Sequence, residues 1–203
     1  MNIYNLQKIY RNIKSERIKN FGLWLLHITN RPYLAVYFDP ILSCNLRCKS
    51  CYFSNEDERA KLKGSFKEED IPQIAKSIFS RTLRLQIGCG AEPTLFKHND
   101  QLIRSAKSYK VAYVSMTSNV NVLTPEMLMS YLQAGLDELT ISIHGVTKTT
   151  YESLMVNDNF EKLLAMLAVL TEAKKEYPKF KGLKNKIWVD LEHEFKDFIR
   201  EEK

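Results

Sequence analysis

The sequence predicts one α/β domain on a parallel sheet, and three features of its pattern predict it. Short apolar runs at residues 34–38, 83–87, 111–116 and 139–143 alternate with segments of helical spacing. Each run reads as nearly continuously apolar, as strands covered on both faces do in parallel sheets. The length of 203 residues suits one well-buried domain better than two. Strands alternating with helices imply right-handed crossovers, in a sheet either open and doubly wound or curved into a barrel. Either way, ligands gather at the C-terminal ends of the strands.

The elements follow in order. Apolar residues at Ile3, Leu6, Tyr10 and Ile13, then Ile18, Phe21, Leu25 and Ile28, with basic residues between them, predict an N-terminal helical segment over 1–32 that Gly22 interrupts. Asp39-Pro40 closes the first strand. A helix over 67–80, with Ser65 near its start, carries Ile71, Ile74, Ala75 and Ile78 on one face. A shorter helix covers 102–107. Residues 125–134 form a helix with Thr124 as N-cap, Pro125 at the first position and Gly135 beyond its end. The longest helix runs over 160–177 and stops at Pro178. Residues 179–186 read as a basic loop, 187–189 as a fifth strand and 192–202 as a terminal helix. The expected division is therefore a helical segment over 1–32, a core over 33–178 and a short tail over 179–203.

Composition excludes several classes. Hydrophobic residues make up 44% and charged residues 27%, a globular mixture rather than a disordered or fibrous one. No apolar run reaches the roughly 18 residues that span a bilayer, and no signal-peptide pattern opens the chain, so a cytoplasmic protein is expected. The net charge of +6 is local, because residues 1–31 hold Lys8, Arg11, Lys14, Arg17, Lys19 and Arg31 against Glu16 alone. The body is nearly balanced. A nucleic-acid face is therefore not expected, and the ten Tyr and ten Phe are scattered rather than set as a stacking platform. The basic segment suits either an anionic membrane surface or, more plainly, a helix packed across the barrel with solvated charges.

Three of the four cysteines lie within eight residues, in Cys44-Asn45-Leu46-Arg47-Cys48-Lys49-Ser50-Cys51, just past the first strand. That is too tight for ordinary disulfides and typical of metal ligation in a reducing compartment. Three thiolates from one short loop can hold three corners of a [4Fe–4S] cluster and leave the fourth iron open. The alternative is a zinc site closed by Cys89 or a histidine. Cys89 itself, between Gly88 and Gly90, reads as a small buried residue. His27, His98 and His193 carry no motif and are read as surface or packing residues.

The triplet followed by Tyr52 resembles the cluster motif of the radical S-adenosylmethionine (radical SAM) superfamily. Gly90-Ala91-Glu92-Pro93-Thr94 resembles the Gly-Gly-Glu-Pro motif of that family, Ser118-Asn119 its Thr-Asn-Gly segment, and residues 135–145 its fourth-strand segment. The resemblance spans residues 1–178. It implies a partial TIM-like barrel, incomplete against the six-unit core of the family and truncated after the fourth βα unit. It implies a [4Fe–4S] cluster on Cys44, Cys48 and Cys51, with S-adenosylmethionine held by Gly90, Ala91, Glu92, Pro93, Ser118, Asn119, Ser142 and His144. It further implies reductive cleavage of that cofactor to a 5′-deoxyadenosyl radical, and an electron donor of flavodoxin or ferredoxin type.

Glu92 is expected to meet the methionyl amine of the cofactor by a charge-assisted bond, against a plainer role as a helix cap. Gly90 and Ala91 are expected to let backbone approach the ligand closely. Ala91 stands in place of the second Gly of the motif, and His144 where the family often has Asp. The substrate and any residue acting directly on it are not legible. Two other readings stand beside the enzyme: a non-catalytic iron–sulfur or zinc protein, and an inactive remnant of a longer enzyme. A sheet cut after four or five strands leaves an uncovered edge, which predicts self-association.

Overall fold

A computed structural model describes residues 9–182 and 186–187. Four strands, β1 (Leu34–Phe38), β2 (Thr82–Ile87), β3 (Tyr113–Ser118) and β4 (Glu138–Ile143), run parallel in chain order across one sheet. Two further strands, β5 (Lys181–Gly182) and β6 (Lys186–Ile187), pair parallel with β4 at its two ends. The helices are α1 (Glu16–Ile28), α2 (Glu56–Lys61), α3 (Ile71–Ile78), α4 (Asn99–Ser108), α5 (Pro125–Ala134), α6 (Lys148–Leu154) and α7 (Phe160–Glu176). This is the α/β architecture that the alternation of apolar runs predicts, four parallel strands of a partial barrel.

Local chemistry sets the boundaries. The Thr124 hydroxyl accepts the Met127 amide, Pro125 opens α5, and Gly135 ends it at φ 105 in the left-handed region. Asn159 and Thr147 cap α7 and α6 through the amides of Lys162 and Thr150. Ahead of α3, residues 68–70 form a 3₁₀ turn in which the Asp70 carboxylate accepts the Lys67 amide, so the helix proper starts at Ile71 rather than near Ser65. The third strand starts two residues later than its apolar run, because Lys110 turns at φ 63 and the Val111 amide still closes α4 by donating to Ala106 O. Helices α2 and α6 escape an apolar period because they are short and bury little; only their caps, Asn55 and Thr147, mark them.

The sheet is two-faced, which corrects the reading of strands apolar throughout. Register places Leu85, Ile87, Val114, Met116, Leu139 and Ile141 on one face, all essentially inaccessible, in the core that also takes residues of α3, α4, α5 and α7. The other face carries Gln86, Ser115, Thr117, Thr140 and Ser142. The first three satisfy one another: Ser115 Oγ donates to Gln86 Oε1 at 2.7 Å, and Gln86 Nε2 donates to Thr117 Oγ1 at 2.9 Å. The helices cover only one side of the sheet, so only that side is apolar.

The flanks also differ from expectation. Residues 181–182, expected as loop, pair with β4, and so does the start of the expected fifth strand; the β4 edge is thus partly covered. Trp188, Val189 and residues 192–202 lie outside the described residues, as does His193. Gly22 does not interrupt α1, and α1 has no buried residue, so it does not pack across the sheet. His27 Nδ1 lies 2.9 Å from the Tyr33 hydroxyl and 2.8 Å from Arg81 Nη1, which ties the end of α1 to the starts of β1 and β2. Among the described residues no helix is long and apolar enough to cross a membrane.

Gly135 gives a direct test of this frame. A Cβ there would lie 2.9 Å from Lys107 Cγ, and that lysine holds Asp137 at 2.5 Å. Gly135→Ala should therefore cost at least the roughly 1–2 kcal/mol of a left-handed alanine, read as a fall in the denaturant midpoint with unchanged slope.

Candidate cluster and cofactor site

The parallel register brings the loops leaving β1, β2, β3 and β4 to one edge. The loop after β1 carries the three cysteines. Leu46, 1% exposed, anchors that loop in the core between polar neighbours. Its backbone is bonded from several sides: Arg47 Nη1 donates to Cys44 O at 2.9 Å and Leu46 O at 2.7 Å, and Ser54 Oγ donates to Cys48 O at 2.6 Å. The amides of Arg47 and Lys49 donate to Val156 O and Leu154 O, both at 3.0 Å, so the segment after α6 supports the loop from below.

Cys44, Cys48 and Cys51 are unpaired thiols of intermediate exposure. Burial pushes the Cys44 thiol above its ordinary pKa; at Cys48 burial, reinforced by Cys44 and Cys51, pushes it up to about 11. Raised thiols of this kind favour the protonated form, so metal binding at Cys44 and Cys48 would release their protons. Among the described residues no three His, Cys, Asp or Glu side chains converge as a single ion would require. A cubane offers each thiolate its own iron, so a cluster needs no such convergence. The donor set, three thiols from one loop, fits that group.

The loop after β2 is shaped by close approaches. Gly88 has φ 78, and a Cβ there would run into Thr117 O. Asp39, just past β1, aims its carboxylate at the backbone of this loop, accepting from the amides of Cys89 at 2.8 Å and Gly90 at 3.1 Å. Gly90 is small for a reason internal to the protein: a Cβ there would run into the Tyr52 hydroxyl. Cys89 is exposed, not buried as expected, because the turn at Gly88 carries it out of the sheet.

Glu92 is 3% exposed. Its Oε1 accepts from Thr94 N at 3.1 Å, Thr94 Oγ1 at 2.5 Å and Ser118 Oγ at 2.7 Å, and its Oε2 accepts from Asn119 N at 2.8 Å. Burial holds its carboxyl above the ordinary carboxylate range, and these four donors work against that shift. The side chain thus caps the 3₁₀ turn at Pro93–Leu95 and fastens the loops after β2 and β3 together. Ser118 Oγ also accepts from Val120 N at 2.9 Å. Asn119 Nδ2 donates to Asn45 Oδ1 at 3.0 Å and lies 3.9 Å from Cys44 Sγ, which joins that assembly to the cysteine loop.

Ser142 and His144 follow on the polar face of β4 and beyond it, both half-buried, and burial lowers the His144 pKa, favouring a neutral ring. The structure thus brings Cys44, Glu92, Ser118 and Asn119 into one bonded assembly, with Gly90, Ala91 and Pro93 on its β2 side. Asp39, Tyr52, Asn121, Tyr151 and Asp158 complete the loops. Asp39 was legible only as a strand stop and Tyr52 only as the end of the cysteine motif, and the other three follow no motif.

A model of the radical SAM superfamily matches residues 40–187. The chain belongs to that superfamily. The match extends through β6, beyond residue 178 where the resemblance was expected to end. A probable GTP 3′,8-cyclase of Sulfurisphaera tokodaii is 30% identical over 121 residues, covering 60% of this chain and 37% of that protein. Another, from Thermoplasma volcanium, is 24% identical over 149 residues, covering 73% and 44%. The chain spans less than half the length of these curated relatives. In fold it is similar to Streptococcus suis SuiB bound to S-adenosylmethionine, with TM-score 0.61 and 16% identity over 97% of this chain and 47% of that one. It is also similar to methylornithine synthase (PylB), with TM-score 0.53 and 14% identity over 81% and 51%.

The clamp at Glu92 makes a prediction independent of any ligand. The amide of a glutamine cannot accept at both ends, so Glu92→Gln leaves one of the four buried donors unmatched. The unliganded protein should lose about 1–3 kcal/mol of stability, measured by denaturant unfolding; a variant as stable as the parent would show that the carboxylate carries no structural load.

Proposed function

We propose that this chain binds a [4Fe–4S] cluster through Cys44, Cys48 and Cys51 and S-adenosylmethionine beside it, as a radical SAM enzyme acting on a substrate still to be found. The observation that carries the reading is the placement of three half-buried thiols on one loop, bonded through Asn45 and Asn119 to the Glu92 clamp at the same strand ends. When bound, the cluster supplies one electron to the sulfonium, whose carbon–sulfur bond breaks to give methionine and a 5′-deoxyadenosyl radical.

The protein's own part is position and exclusion of water. Asp39 fixes the backbone of Gly90 and Ala91 beside the cofactor, while Tyr52 packs against Gly90. Glu92 commits most of its acceptor capacity to Thr94, Ser118 and Asn119 and keeps the rest, on Oε2, for the cofactor amine. Pro93 fixes the turn that Glu92 caps. Ser142 and the neutral His144 face the cofactor from β4. The likeness to GTP 3′,8-cyclases covers under half of those proteins, so the cofactor chemistry is carried over and their nucleotide is not. A reducing, cytoplasmic setting and a flavodoxin- or ferredoxin-like donor belong to the same proposal, because such a cluster needs a low-potential electron.

Anaerobic reconstitution tests the assignment. The parent protein should take up about four iron and four sulfide per chain, Cys44→Ala, Cys48→Ala and Cys51→Ala should each lose them, and Cys89→Ala should keep them. Stoichiometric zinc in place of iron, or loss of the cluster in Cys89→Ala, would contradict it.

A further inference from the structure

The cysteine loop is held on the β4 side by a chain of polar groups that runs from Asn45 of the cysteine motif to residues outside every motif. Asp158, in the turn between α6 and α7, accepts on Oδ2 from the Tyr151 hydroxyl at 2.5 Å and on Oδ1 from the Asn159 amide at 2.7 Å and from Asn121 Nδ2. Asn121 Oδ1 in turn accepts from Asn45 Nδ2 at 2.9 Å, and Asn45 lies directly after Cys44. Asn119 Oδ1 accepts the Asn121 amide at 2.9 Å, so the same asparagine is fixed from β3 as well. Every link of this chain is a side chain with a defined partner at each end. Tyr151 is fully buried and packs against Phe160, which fixes the anchor of the chain in the core. The turn that carries Asp158 follows the segment whose carbonyls, Leu154 O and Val156 O, take the amides of Lys49 and Arg47.

We propose that Asp158, anchored by Tyr151, is a positioning residue that fixes the cysteine loop through the Asn121–Asn45 bridge. A carboxylate accepting from three donors only accepts, so it cannot be replaced in kind by an amide, which donates at one end.

Two readouts test this. In the metal-free full chain, hydrogen exchange at the amides of Arg47 and Lys49 should accelerate about tenfold or more in Asp158→Ala, in keeping with loss of bonds to a charged group, while Val114 and Met116 in β3 are unchanged. Tyr151→Phe, which keeps the ring and removes one donor, should give a smaller acceleration at the same amides. In the reconstituted protein, a readout that rests on the cluster reading, Asp158→Asn should keep its iron and sulfide and alter the electron paramagnetic resonance line shape, because the ligand loop is held less tightly. Unchanged exchange at Arg47 and Lys49, or an equal rise across loop and sheet, would overturn the positioning role. Should Asp158→Ala fail to fold, exchange in Tyr151→Phe and Asp158→Asn decides the point. If the parent takes up no iron and sulfide, the cluster reading fails, and exchange in the metal-free chain still decides the loop.

Discussion

The buried carboxylate of Glu92 is the constraint on which the site depends. Burying a carboxylate is costly unless donors surround it, and here Thr94, Ser118 and Asn119 supply four, from the loops after β2 and β3. Asn119 then reaches Asn45 in the cysteine loop. A single desolvated group thereby fixes the mutual position of three loops that would otherwise be free to move as surface segments do. Parallel register brings these loops to one edge, but register alone would leave the thiols poorly placed. Two carboxylates complete the placement, since Asp39 orders the amides after β2 from the β1 side and Glu92 orders the next junction.

The sheet makes a matching division of labour. Its apolar face is sealed by helices and supplies the stability, while its polar face, bonded within itself at Gln86, Ser115 and Thr117, leads to the strand ends where the loops meet. The thiols belong to neither regime. All three are half-buried, and burial raises the Cys44 and Cys48 thiols above their ordinary pKa.

Much of the fold and site is legible in the sequence, for physical reasons. Apolar runs with intervening helical periods reveal strands and helices whenever burial is one-sided, as in β2 or α5, and the cysteine spacing reveals a ligand loop because few other uses tolerate three thiols so close. The alternation Thr82-Leu-Arg-Leu-Gln-Ile is present, yet among longer apolar runs it reads as continuous, which hides the polar face. Side-chain bonds between distant loops leave no periodic trace: Asp39 with Cys89 and Gly90, or Asp158 with Tyr151 and Asn121, follow from tertiary closure alone. Gly90 shows the limit clearly, since its small size suits a ligand in the sequence and Tyr52 in the structure. Helix α1 shows another, since its apolar spacing predicts packing and none of its residues is buried.

The central claim is that the cysteine loop presents a cluster with one iron open to the cofactor. Electron paramagnetic resonance of the anaerobically reconstituted, reduced protein, recorded with and without S-adenosylmethionine, tests it most directly. The account predicts a reduced cubane signal whose g-values shift when the cofactor is added, because the open iron gains ligands. A cubane signal unchanged at saturating cofactor, or no iron–sulfur signal at all, would contradict it.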